Sequence, residues 1–319
     1  MTRVGAIDCG TNSIRLLIAD VVDGALREVH REMRIVRLGQ GVDATGQFSP
    51  EALARTESAL TDYVALMTEH AVQAVRMVAT SAARDAANRD EFFAMTARLL
   101  GKVVAGSVAE VITGDEEAQL SFRGAVGELD SATGPFVVVD LGGGSTEVVR
   151  GTGTVQAAYS ANIGCVRLTE RCLHSDPPTA AEVAQARAAA RDGLADALRA
   201  VPVDGAQTWV GVAGTMTTLS ALAQGMTEYD AAAIHLSRIG FDDLLAVCEQ
   251  LIGMTRAQRL ALGPMHGGRA DVIGGGALIV EELAAVLGER AGISELVVSE
   301  HDILDGIALS IAPTSTAGS

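Results

Sequence analysis

The chain has 319 residues, 48% of them apolar and 20% charged, which is material for roughly two globular domains and excludes a disordered protein. A net charge of −16 and an aromatic content of 3% argue against a nucleic-acid or anionic-membrane partner. No run of 18 uncharged apolar residues occurs, and residues 1–6 carry no long apolar signal segment, so a soluble, cytoplasmic protein is expected.

Residues 4–21 (VGAIDCGTNSIRLLIADV) read as an apolar strand ending at Asp8, a turn of Gly10, Thr11, Asn12 and Ser13, and a second strand. A third strand at about 28–38 completes a meander. Arginines are dense from Arg27 to Arg37, and Lys102 is the one lysine. We read that stretch as a solvated strand face rather than a polyanion path. Ser49 and Pro50 open a helix as N-cap and first helical residue, with apolar positions at Leu53, Leu60, Val64 and Met67. A strand at 75–79 leads through Thr80 and Ser81 into a helix start carrying Arg84 and Asp85. An amphipathic helix follows at 91–100, then a strand at 109–113. Gly114, Asp115, Glu116 and Glu117 open a helix reaching Phe122. The polar segment 129–135, with Gly and Pro, is the natural domain boundary.

Residues 136–150 (FVVVDLGGGSTEVVR) then repeat the opening hairpin, with Asp140 132 residues after Asp8 (140 − 8). A turn of Gly142, Gly143 and Gly144 has no side chains to shield its amides, so those N–H groups can converge on a phosphate. Alone, such a turn could equally be plain hairpin chemistry; its duplication points to function. Residues 75–86 and 208–219 repeat a strand, a small polar turn and a helix start, and residues 110–120 and 295–309 repeat a strand, an acidic turn and a helix. Two similar α/β halves, each bringing an Asp-bearing phosphate turn to a shared cleft, are expected. Further helices are expected at about 180–199, after Asp176-Pro177-Pro178-Thr179, and at 241–252 and 274–287. Residues 312–319 (APTSTAGS) have no core-forming residue. Cys9, Cys165, Cys172 and Cys248 are scattered without CxxC spacing, so neither zinc nor a disulfide framework is expected, and Cys9 reads as a small buried residue.

The motifs DCGTNS at 8–13, ATSAARDA at 79–86, ITGDEEAQL at 112–120, VVDLGGGSTE at 138–147 and IGCVRLTE at 163–170 resemble the exopolyphosphatase / guanosine pentaphosphate phosphohydrolase (Ppx/GppA) family of the actin-like ATPase superfamily. AGTMTTL at 213–219 and RADVIGGGALI at 269–279 continue the match, so it spans nearly the whole chain. The chain resembles the short two-domain form, without the additional helical HD-type domain of longer members. The resemblance implies two ribonuclease H-like (actin-like ATPase) domains with mixed five-stranded sheets facing an interdomain cleft. Domains are expected at 1–128 and 129–301, with a helix at about 302–312 free to return to the first and a disordered tail at 313–319.

It also implies roles. Glu117, the second glutamate of EEA, would be the base that orients and deprotonates water, and Glu147, after GGGST, would assist the water or the metal. Asp8, Asp140 and Glu147 would hold Mg²⁺ or Mn²⁺. Gly10, Thr11, Asn12, Ser13, Gly142, Gly143, Gly144, Ser145 and Thr146 would donate to phosphoryl oxygens, and Arg84 would clamp a terminal phosphate. Gly214 and Thr215 form the turn that faces a nucleoside in nucleotide-binding relatives. His301, near the cleft by pattern, is read as structural. Gln119 departs from the family, standing where many members have arginine in EEARL. The implied activity is hydrolysis of the terminal phosphoanhydride of inorganic polyphosphate, of short chains given the net charge. The alternatives are a pppGpp or NTP phosphohydrolase, or a non-catalytic (p)ppGpp-binding regulator. A homodimer is implied by the resemblance alone.

Overall fold

Near-continuous buried runs in β1 (Thr2–Cys9) and β2 (Ser13–Val22), with the less buried edge strand β3 (Ala25–Ile35), build an antiparallel meander. Parallel β4 (Ala74–Ala79) and the short β5 (Glu110–Val111) extend it into a five-stranded sheet of order β3-β2-β1-β4-β5. The helix Pro50–Glu69, capped by the Ser49 hydroxyl as expected, buries Leu60, Tyr63 and Met67. The second meander is β6 (Phe136–Leu141), β7 (Thr146–Gly151) and β8 (Val155–Ala161). With β9 (Thr208–Val212), β10 (Ser237–Gly240) and β11 (Glu295–Val298) it forms a sheet of order β10-β11-β9-β6-β7-β8.

Set side by side, the two orders agree strand for strand through β5 and β11, which is the duplication read in the sequence. The second sheet has six strands rather than the expected five. The addition, β10, is a four-residue strand paired antiparallel to β11. Its residues Ser-Arg-Ile-Gly are too few to show a period.

The structure, a computed structural model, describes residues 2–311, so the expected tail at 313–319 lies outside it. Among the described residues the chain forms two units, residues 2–113 with 303–311, and residues 114–302. The division differs from the expected boundary at 128/129 because the helix Gly114–Ala125 packs on β6, β7 and β8. Its Ala118, Phe122 and Ala125 share a core with Phe136, Val138, Val149, Val210 and Val212. Gly124 is required there, since a Cβ would lie 1.8 Å from the Asp302 carbonyl oxygen. The helix Ile303–Ile311 makes the reciprocal move and packs on β1, β2 and β4 of the first unit.

Candidate functional site

Asp8 lies at the buried end of β1, directly across from Arg15 on β2. Arg15 Nε and Nη2 both donate to Asp8 Oδ2, at 3.0 and 2.7 Å. The turn beyond it is closed by the Gly10 N–H donating to the Ser13 carbonyl at 2.9 Å. Its outer carbonyls are tied back: Thr11 accepts from the Gly39 N–H, and Asn12 from the Val36 and Arg37 N–H groups. A trans peptide points its C=O and N–H in opposite directions, so the Asn12 and Ser13 amides face away from those partners. Arg84, on the short helix Ser81–Asp85 after β4, donates from Nη1 to the Ile112 carbonyl at 3.1 Å.

The second hairpin has the same construction with different chemistry. Asp140 faces Glu147 across β6 and β7, just as Asp8 faces Arg15, and Glu147 faces Ser160 on β8. The first hairpin therefore carries a carboxylate beside a guanidinium, and the second carries two carboxylates. The helix Gly114–Ala125 adds a third. Glu117 and Ser121 are four residues apart and so share a helix face. Ser121 Oγ donates to Asp140 Oδ2 at 2.6 Å. Glu117, Asp140 and Glu147 are all buried, and Ser160 Oγ donates to Glu147 Oε1 at 2.6 Å. Glu147 Oε2 is buried without a hydrogen-bond partner. Burial first, then the charges of Glu117 and Asp140, push the Glu147 carboxyl well above its usual range.

The glycine turn is anchored from one side. The Gly142 N–H closes it onto the Ser145 carbonyl at 3.0 Å. The carbonyls of Gly142 and Gly143 accept the Cys165, Val166 and Arg167 amides, and Arg167 Nε donates to the Gly144 carbonyl at 2.8 Å. By the same planarity, the amides of Gly143, Gly144 and Ser145 point away from the helix Cys165–Cys172, as an anion-binding nest requires. Thr146 is fully buried and its hydroxyl donates to the Ile163 carbonyl at 2.6 Å. Gly214 and Thr215 sit in the first turn of the helix Ala213–Ala223. The Arg269 guanidinium lies against Gly214, where a Cβ would be 2.3 Å from Cζ, and Thr215 is buried against Gly276.

The site residues read from the sequence thus fall into two sets. Asp8, Gly10, Thr11, Asn12, Ser13 and Arg84 belong to the first unit. Glu117, Asp140, Gly142 to Thr146, Glu147, Gly214 and Thr215 belong to the second. Five contributors were not read as site residues from the sequence: Arg15, Ser121, Ser160, Arg167 and Arg269. Ser121 carried a signal, lying one helical turn beyond Glu117. Ser160 and Arg269 became visible only through strand register and the contact at Gly214. Hard oxygen donors converge at Asp140 and Glu147, and one buried oxygen lacks a partner, so this donor set fits a hard divalent cation such as Mg²⁺.

The sequence model of the Ppx/GppA phosphatase family matches residues 17–311. "Exopolyphosphatase 2" of Mycobacterium tuberculosis is 72% identical over 316 residues, covering 98% of this chain and 99% of that protein. The crystal structure of an exopolyphosphatase-like protein is 44% identical, with a TM-score of 0.91 over 97% of both chains. That of an Aquifex aeolicus Ppx/GppA family member is 32% identical, with a TM-score of 0.78 over 97% of both chains.

Proposed function

The chain belongs to the Ppx/GppA phosphatase family, and we propose that within it the chain hydrolyses the terminal phosphoanhydride of short inorganic polyphosphate with Mg²⁺, releasing phosphate. The observation that carries this reading is the buried group of Glu117, Asp140 and Glu147 with its partnerless Oε2. The charges of Glu117 and Asp140 oppose ionisation of Glu147, a repulsion that a cation would relieve, and phosphoryl transfer needs such a cation for charge neutralisation.

Asp140 and Glu147 would hold Mg²⁺, and Asp8 is assigned to it by the family resemblance. When bound, the ion supplies positive charge to the phosphoryl oxygens. Glu117, at the start of its helix, accepts the proton of the attacking water and fixes its direction. Ser121 and Ser160 hold Asp140 and Glu147 in place through their 2.6 Å hydrogen bonds. The amides of Gly143, Gly144 and Ser145 donate to the phosphate, and Arg167 keeps them aimed by holding the Gly144 carbonyl. Asp8, the turn at Gly10 to Ser13 and Arg84 keep the metal and phosphate roles that the resemblance implies.

One observation favours a second reading, hydrolysis of pppGpp or another nucleoside polyphosphate. The planar Arg269 guanidinium rests on Gly214, in the turn assigned to a nucleoside. The test is phosphate release by the purified chain with Mg²⁺ from short polyphosphate, long polyphosphate, pppGpp and ATP, beside Glu117→Gln. Release from short polyphosphate, lowered about 10²–10⁴-fold by Glu117→Gln, is expected. Release from nucleotides alone would transfer the reading to the second substrate class. Tight guanosine-nucleotide binding without release would leave a sensor on a hydrolase frame.

A further inference from the structure

A second cluster of ligand-type side chains lies outside the carboxylate group. Glu128 follows the helix Gly114–Ala125, His235 caps the short helix Ala231–Ile234, and His301 follows β11. Three segments distant in sequence thus converge, all within the second unit. His235 Nε2 lies 3.2 Å from Glu128 Oε2, and His301 Nδ1 lies 3.2 Å from Glu128 Oε1. The two imidazole centroids are 4.4 Å apart, and one ligand atom from each residue lies within 4.8 Å of the others.

We propose that Glu128, His235 and His301 form a binding site for a divalent transition-metal ion of the Zn²⁺ class. Ligand atoms about 2.0–2.2 Å from a tetrahedral ion are roughly 3.3 Å from one another; each imidazole already lies 3.2 Å from a Glu128 oxygen, and the three ligand atoms lie within 4.8 Å of one another. Two imidazoles and one carboxylate are a borderline-soft set that selects Zn²⁺, Co²⁺ or Ni²⁺ over Mg²⁺, whereas the oxygen donors of Asp140 and Glu147 select the reverse. The side chain of Glu128 is 57% exposed, which leaves a coordination position open to water. The backbone of His301 is held at both ends, since its N–H donates to Ser299 Oγ and that hydroxyl donates to the His301 carbonyl.

The hydrogen bonds define the metal-free state. His235 Nδ1 accepts the Glu300 N–H at 3.2 Å, so the neutral ring carries its proton on Nε2 and presents it to Glu128. An ion on Nε2 takes that proton's place, the ring's proton moves to Nδ1, and the long Glu300 contact is given up. The ion would join the exit of the helix carrying Glu117 to the exit of β11, which makes it a device for fixing that helix. The proposal does not depend on which phosphoanhydride the enzyme cleaves.

Zn²⁺ titration of the tag-free chain by calorimetry, with excess Mg²⁺ occupying the oxygen donors, tests it. One Zn²⁺ per chain is expected, with affinity lowered at least tenfold in His235→Ala and in His301→Ala, as loss of a ligand requires. Mg²⁺-dependent phosphate release should persist in both variants and shows that they fold. Co²⁺ bound to the unaltered chain should give the intense visible bands of a tetrahedral nitrogen–oxygen site, a readout independent of any variant. Zn²⁺ binding that is unchanged in the His235→Ala/His301→Ala double variant, or a purely octahedral Co²⁺ spectrum, overturns the assignment.

Discussion

Glu147→Gln replaces a buried carboxyl, whose ionisation is opposed by burial and by the charges of Glu117 and Asp140, with a side chain that cannot ionise. In the absence of divalent metal this substitution should stabilise the protein increasingly as pH rises above the ordinary carboxylate range, where folding forces the parent's Glu147 carboxyl to keep its proton. Activity should fall, because the carboxylate is what the proposed Mg²⁺ needs. Urea unfolding with and without Mg²⁺ checks this: the advantage of the variant should shrink when the metal is present. A variant less stable than the parent without metal would show that the carboxylate is satisfied. Gly114 bears on the same group, since a Cβ there would lie 2.4 Å from Ser160 Cβ. Gly114→Ala should therefore push Ser160 off Glu147 and lower the rate by about tenfold or more, the effect of roughly 1.4 kcal/mol lost in the transition state. Steady-state kinetics would read it, and an unchanged rate would free Ser160 of a positioning role. Asp140 was legible as a residue from the hairpin that repeats Asp8, and Glu117 and Glu147 through the family resemblance. Their company was not, because Ser121 and Ser160 act through helix face and strand register.

At the level of elements, the helix Cys165–Cys172 holds the glycine turn by its first amides, and Gly164 is what permits the approach. A Cβ at Gly164 would lie 2.5 Å from both the carbon and the oxygen of Gly143, which are backbone atoms and cannot rotate aside. Gly164→Ala should cost about 1–3 kcal/mol as overpacking does, and should re-aim the amides of the turn. Thermal melts would read the first effect and the KM for substrate the second. The helix Ala180–Ala200 supplies a pH test. The Glu182 carboxylate accepts from the Thr179 N–H at 2.7 Å and from the Thr179 hydroxyl, the His174 N–H and the Ser175 hydroxyl, and the Thr179 backbone bond leads in holding it down to about 2. A depressed carboxyl stabilises fully above its unfolded value and loses that contribution as pH falls toward the folded one. Glu182→Gln keeps one acceptor oxygen and removes the charge, so its melting temperature should trail the parent at about pH 6, and the gap should close only as pH falls to about 2. A constant gap across that range would mean the charge is not linked to folding.

Strong apolar periodicity and cap residues made the long elements readable, as at Ser49-Pro50 and the two hairpins. Short elements without a period, such as β10, were not. The larger difference is in assignment. The helix Gly114–Ala125 follows β5 directly, and proximity in sequence placed it with the first half. Packing of Ala118, Phe122 and Ala125 placed it with the second. Local pattern identifies a helix, but only long-range contacts decide which sheet it covers.

For the whole molecule, this exchange means that each half's terminal helix serves the other half. The chain builds most of the first unit by residue 113, builds the second, and only then returns with Ile303–Ile311. That helix buries Ile303, Leu304, Ile307 and Ala308, and Asp305 takes the Arg31 guanidinium through Nη1 at 3.2 Å and Nη2 at 2.6 Å. The first unit is therefore discontinuous and the second is not. A fragment of residues 114–302 should fold alone, because its core helix Gly114–Ala125 travels with it. A fragment of residues 2–113 should lack the cover of β1, β2 and β4 and expose apolar side chains worth about 1.5–3 kcal/mol each on burial. Adding a peptide of residues 303–311 should restore its cooperative unfolding, and Arg31→Ala in that fragment should weaken the rescue by leaving Asp305 without its bidentate cation. Circular dichroism melts of the fragments, with and without peptide, read all four outcomes. Cooperative unfolding of residues 2–113 without the peptide would show that the returning helix decorates the first unit instead of completing it.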